Sequence, residues 1–208
     1  MTDSPQAFWN RVARRYADMP MRNPDAYDTT LALLRTYLQP ASSVLELGCG
    51  TGTTARHLAR HVGHYTATDY APEMIAIAQE KHDVDELENL TFQTGAVGDG
   101  SLPPGPFDVI LAFNFLHLLP NRQTALTEIF EILPSGGLFI AKTPCLGGVF
   151  RALQPLVTIL RWAGKAPDVR FLTPSRLERD IRAAGFEIIK TGDYPKRPPS
   201  RLIFARKA

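Results

Sequence analysis

Three glycines spaced two apart mark the stretch Val44-Leu45-Glu46-Leu47-Gly48-Cys49-Gly50-Thr51-Gly52. Glycine reaches dihedrals closed to other residues, and without a Cβ it lets the backbone approach a ligand closely. A carboxylate, Asp69, follows 21 residues after Gly48. In nucleotide-binding α/β folds an acid at about that offset accepts hydrogen bonds from ribose hydroxyls. Further along, Asn114 could hold a ligand through its side chain or backbone, and His117 is the candidate general base. Cys145 could offer a thiol, although an inert buried cysteine is the simpler reading. His57 and His61 stand one helical turn apart with His64 nearby, a spacing that mimics a metal pair. No glutamate lies between them and Arg56 and Arg60 flank them, so they read as a solvated helix face and no metal site is expected.

These residues need elements to position them. The apolar run 44–47 is too short for a helix and reads as a strand; 53–59 has helical character; Tyr65-Thr66-Ala67-Thr68-Asp69 reads as a second strand. Upstream, Ser4-Pro5 and Asn23-Pro24 each pair a capping side chain with proline at the first helical position. The first helix carries the stripe Phe8, Trp9, Val12, Ala13 and Tyr16, and the second Tyr27, Leu31, Leu34 and Leu38. Downstream come a helix from Pro72, a strand at 90–93, a nearly continuous apolar strand at 107–114, a helix after Asn121 and a strand at 138–142. A helix after Thr173-Pro174 and strands at 186–190 and 202–205 close the sheet. The expected architecture is a doubly wound, seven-stranded, mostly parallel α/β sheet of Rossmann-like form, with the last strand antiparallel. One domain spans 1–208: a helical cap (1–40), a ligand-binding core (41–145), a lid (146–170), and a closing helix with strands (171–208).

The dinucleotide fingerprint would put its third glycine at position 53, which is Thr53, and no Gly-Lys-Ser/Thr is present for a triphosphate loop. The pattern Glu46, Gly48, Gly50, Gly52 instead resembles the first motif of the class I S-adenosylmethionine-dependent methyltransferases of the small-molecule type. The resemblance continues in Asp69-Tyr70-Ala71-Pro72-Glu73-Met74 and in Leu133-Pro134-Ser135-Gly136-Gly137, and covers roughly residues 5–145. It implies S-adenosylmethionine as cofactor and methyl transfer to a small acceptor. The residues it places at the cofactor are Tyr16, Glu46, Gly48, Cys49, Gly50, Gly52, Asp69, Tyr70, Met74, Ala96, Val97 and Asn114, with His117 as base or acceptor-positioning group. One departure stands out: Ala96 occupies the place where the family usually has the acid that accepts the adenine amino group. Adenine contacts would then rest on backbone groups of 95–97, or on Asp99 if its loop bends back.

The 208 residues, 44% hydrophobic and 21% charged, suit an ordinary globular protein. The opening residues have neither a basic head nor an apolar core, and two cysteines make no disulfide framework, so a cytoplasmic setting is expected. Charge is uneven: residues 145–208 carry thirteen Lys/Arg and five Asp/Glu, against an overall +2. A basic tail could signal a nucleic-acid methyltransferase. No Asn-Pro-Pro-aromatic run follows the fourth strand, however, and no nucleic-acid partner is expected. A non-catalytic cofactor-binding module is the other alternative. The segment 147–163 is apolar and kinked around Pro155, with Arg151 and Arg161 at its flanks. Packing on the sheet, a lid over a hydrophobic acceptor, and contact with a membrane surface or a second copy in a homodimer are all open readings of it.

Overall fold

A computed structural model describes residues 4–82 and 87–208; Met1 to Asp3, on which the leader expectation partly rests, lie outside them. Helix α1 (Pro5–Ala17) starts where the sequence says, with Ser4 Oγ accepting from Ala7 N–H at 3.2 Å. Helix α2 (Pro24–Arg35) also starts on its proline, but Asn23 makes no capping hydrogen bond. Strand β1 (Ser43–Leu47) runs into the glycine turn and α3 (Thr53–Leu58), which tightens into a 3₁₀ turn at Ala59–His61. Then come β2 (His64–Asp69), α4 (Pro72–His82), β3 (Leu90–Thr94) and β4 (Val109–Phe113). They are followed by α5 (Arg122–Ile132), β5 (Leu138–Pro144), a 3₁₀ stretch Gly148–Leu153, α6 (Gln154–Trp162) and α7 (Pro174–Ala183). The hairpin β6 (Phe186–Lys196) and β7 (Pro199–Lys207) completes the chain.

The seven strands form one sheet in the order β3-β2-β1-β4-β5-β7-β6. The first five pair in parallel, and β7 alone runs against its neighbours β5 and β6. The order reverses between β1 and β4, which is where open α/β sheets bind ligands, outside the carboxyl ends of the strands. The hairpin is longer than 186–190 and 202–205 suggested. Pro195 falls in β6, an edge strand that tolerates it; Pro198 lies in the turn between the strands, and Pro199 is the first residue of β7, where proline is also accepted.

Side-chain alternation explains why the sheet is covered on both faces. Val44, Leu111 and Ile140 pack on one side with Leu31 and Leu34 of α2 and Leu58 of α3. Leu45, Ile110 and Phe139 pack on the other with Leu126 and Ile129 of α5 and Leu177 and Ile181 of α7. Period-two strands facing two apolar layers fix the register, since a one-residue slip would exchange the two sets. Helix α1 joins through a third small cluster, Ala13 against Ala71 and against Met74 and Ile77 of α4. Among the described residues no helix is long and apolar enough to cross a membrane.

Candidate active site

The glycine turn stands at the switch point; positive φ calls for glycine at all three positions, and crowding adds to this at Gly48 and Gly52. All three have positive φ: 67° at Gly48, 55° at Gly50 and 76° at Gly52. A Cβ on Gly48 would come within 2.6 Å of the Phe115 ring, and one on Gly52 within 2.7 Å of Phe92. Position 50 lies beneath Tyr16, whose ring a Cβ there would meet at 3.7 Å. The turn is thus a backbone cradle walled by aromatic rings from α1, β3 and the loop after β4.

Asp69 ends β2 and holds this cradle in shape. Its Oδ2 accepts from Gly50 N–H and its Oδ1 from Ala71 N–H, both at 2.9 Å. Burial pushes its carboxyl up, against the pull of these donors. The Tyr70 N–H also draws on it, and of a carboxylate's roughly four acceptor positions the remainder can serve a hydroxyl. Its neighbour Tyr70 is pushed up to about 12 by burial, with a smaller push from the Asp69 charge. Tyr16 is raised by burial and then by Asp69, which puts its hydroxyl in the same field. Cys49 contributes backbone, its N–H donating to the Thr68 carbonyl at 2.9 Å, while burial raises its thiol well above the usual range.

Two of the expected cofactor residues are instead turned inward. Met74 is 2% exposed and packed between α1 and α4, so it supports the wall and presents no surface to a ligand. Glu46 is buried and accepts from Tyr65 OH at 2.8 Å; desolvation pushes it up to about 7, that hydrogen bond pulling the other way. In the loop expected to face adenine, Gly95 N–H is spent on the Asp69 carbonyl (3.1 Å) and Ala96 N–H on Ser101 Oγ (2.9 Å). Asp99 does not bend back: its Oδ1 accepts from Ser101 N–H and Oγ in a tight local turn. That leaves the Val97 N–H as the donor of this loop.

Beyond β4 the chain turns abruptly. Among the described residues Asn114 is the one non-glycine with positive φ (51°), and its N–H donates to the Lys142 carbonyl at 2.8 Å. Such conformations are costly for most side chains, least so for Asn, and gather at functional sites. His117 follows in the next turn. It is 9% exposed, burial lowers it to about 4, and its Nδ1 has no partner. An imidazole with that value is neutral at working pH and a weak proton acceptor, which turns the expectation of a general base toward a hydrogen-bonding role. Cys145 is buried and pushed up to about 11 by desolvation, an unreactive thiol.

Lys142 was not singled out from sequence. Desolvation lowers it to about 8, and its Nζ donates to Thr30 Oγ1 of α2 at 2.8 Å. A lysine following the apolar run 138–141 near the ligand-binding edge is the signal for it. No group of three His, Cys, Asp or Glu able to hold a metal occurs among the described residues.

This geometry can be set beside known proteins. Residues 44–137 match the family described as Methyltransferase domain, a range that runs from β1 and the cradle to the start of β5. The chain is 30% identical over 149 residues to the fatty-acid O-methyltransferase of Mycolicibacterium smegmatis. Residues 44–137 thus carry the methyltransferase domain of the class I S-adenosylmethionine-dependent type. The match to the Mycolicibacterium protein covers 71% of this chain and 48% of that one. The malonyl-[acyl-carrier protein] O-methyltransferase of Bacillus cereus is 33% identical over 62% of this chain and 47% of its own. The methyltransferase chain thus spans about half the length of these two curated relatives. Among solved structures, an S-adenosylmethionine-dependent methyltransferase of Thermotoga maritima superposes with a TM-score of 0.74 at 20% identity, covering 99% and 100% of the two chains. A Haloferax volcanii protein solved in complex with the Trm112 methyltransferase activator superposes at 0.79, with 17% identity and coverage of 98% and 97%. At these identities the likeness is one of fold.

Proposed function

We propose that this methyltransferase moves a methyl group from S-adenosylmethionine to a small acceptor. The observation that carries the reading is the Gly48–Gly52 cradle, closed by Phe115, Tyr16 and Phe92 and braced by Asp69. When bound, S-adenosylmethionine supplies an electrophilic methyl on a sulfonium. In this reading the cradle lets the backbone approach the amino-acid part of the cofactor, and Asp69 accepts from the ribose hydroxyls with its remaining lone pairs. Tyr70 lies beside the nucleoside, and Val97 N–H donates to the adenine edge in place of the family's acid. Tyr16 and Asn114 border the reacting region.

His117 backs the acceptor site rather than deprotonating the acceptor, since it is neutral and its unpartnered Nδ1 is itself buried. Acceleration then comes mainly from positioning, which can supply much of the barrier reduction in a displacement reaction. The relatives are named for methylating a fatty acid and a malonyl carrier protein, which supports a small acidic or apolar acceptor here. The reading is tested by incubating the protein with methyl-labelled S-adenosylmethionine and a panel of acids, phenols and amines, with mass spectrometry of the products. Labelled product that disappears in Asp69→Ala is expected. Tight binding of the cofactor with no transfer to any of the panel would favour a non-catalytic module.

A further inference from the structure

The segment Gly148–Trp162 carries apolar surface that no other part of the described chain covers. Val149, Leu153, Leu156, Ile159 and Trp162 are 85%, 48%, 54%, 60% and 74% exposed, and the last four recur at three-residue spacing. Neither the 3₁₀ stretch nor α6 contains a buried residue, so packing onto the sheet is set aside. Contiguous apolar patches of this kind mark interaction sites. The segment is tied down at both ends. Gly147 N–H donates to the Leu172 carbonyl at 2.6 Å, and Arg11 Nη2 of α1 donates to the Gly164 carbonyl at 3.0 Å. Its apolar side chains face solvent, the reverse of what a closed lid over an acceptor would show.

Charge decides what covers this face. Residues 148–176 carry five Lys/Arg and one Asp. Arg122, Arg151, Arg170 and Arg176 line a cavity of about 430 Å³, and Arg151 and Gln154 also line the apolar groove along α6. Two of these arginines are pre-set by one buried carboxylate. Arg122 donates to Asp180 Oδ2 through Nε and Nη2, and Arg176 Nε donates to Oδ1 at 3.0 Å. Guanidinium groups held this way keep their other N–H groups for an oxyanion such as phosphate. A second copy docked across a two-fold axis would set the same cationic patch against itself. A layer of anionic head groups is complementary instead.

We infer that the Gly148–Trp162 face docks the protein onto an anionic phospholipid bilayer, apolar side chains in the acyl boundary and lipid phosphates in the arginine cleft. The face borders the ligand-binding edge, since Gly148 follows the end of β5 by four residues. An apolar acceptor would then be met at the membrane. The inference stands apart from methyl transfer, because docking is read without turnover.

The test uses Trp162 as reporter. Trp9→Phe removes the other tryptophan, and the protein is mixed with vesicles of phosphatidylcholine alone or in equal parts with phosphatidylglycerol. Trp162 emission should shift to the blue, and the protein co-sediment, with the mixed vesicles only. Leu156→Glu combined with Ile159→Glu should abolish both signals, with unchanged circular dichroism. Arg151→Gln combined with Arg170→Gln should weaken binding roughly thirtyfold, about fivefold for each cation. No binding to either vesicle would overturn the inference, and so would equal binding to both. A blue shift with doubled mass in the absence of lipid would overturn it in favour of a dimer.

Discussion

Glu46→Gln offers a quantitative check on how the interior beneath the cradle is built. Glu46 lies in β1 and is 2% exposed, and its carboxylate accepts from Tyr65 OH. Desolvation outweighs that bond and moves the carboxyl from 4.5 to about 7, a difference worth about 3 kcal/mol. The sign follows from proton counting. Between those values the folded protein retains a proton that the unfolded chain has released, so stability falls as pH rises through that window and levels off above it. Glutamine preserves the shape and does not titrate. Urea unfolding of both proteins across pH 4 to 8 should therefore show glutamine gaining on glutamate by about 3 kcal/mol as pH rises. His117, whose lowered value makes stability rise with pH between about 4 and 6.5, is present in both and cancels in the difference. A flat difference would mean that burial leaves the Glu46 carboxyl unshifted, and one of opposite sign that the fold stabilises its ionised form; either would refute the reasoning.

Three further outcomes follow from the site. Asp69→Ala removes the acceptor of the Gly50 and Ala71 N–H groups, and should weaken S-adenosylmethionine binding by about 1–3 kcal/mol in calorimetry. His117→Leu should lower kcat by about 10²-fold with the cofactor Kd unchanged, and wild-type kcat should show no inflection near pH 6.5 assignable to this residue; parallel loss of cofactor affinity would make it structural. Gly52→Ala adds a Cβ 2.7 Å from Phe92 to a φ of +76°, so its urea midpoint should fall well below that of Gly98→Ala, where φ is also positive and nothing lies within 4 Å.

What sequence could and could not reveal divides along contact order. The strand, turn and helix around Gly48–Gly52 were legible because glycine spacing and a short apolar run are local signals, and Asp69 was legible by its offset. The ends of most elements were legible too, since Ser4-Pro5 and Thr173-Pro174 carry their own start signals. Burial was not. Met74 and Glu46 stand where ligand contacts are plausible, but α1 closing over α4 and Tyr65 crossing from β2 claim them for the interior. His117 looked like a base because its chemistry is visible in the sequence and its desolvation is not. In the loop 95–97, Val97 stands out as the remaining donor only because Ser101 Oγ and the Asp69 carbonyl take the N–H groups of Ala96 and Gly95, contacts that no local pattern announces. The apolar stripe of 149–162 was legible as a stripe; that it faces outward depends on neighbours it lacks.

Titration calorimetry of the intact protein with S-adenosylmethionine, its demethylated product and NAD addresses the central claim most directly. Saturable binding of the first two, absence of heat with NAD, and affinity for both lowered by about 1–3 kcal/mol in Asp69→Ala are the results expected from a cradle braced by that carboxylate. Binding of NAD alone, or S-adenosylmethionine binding untouched by Asp69→Ala, would contradict the account.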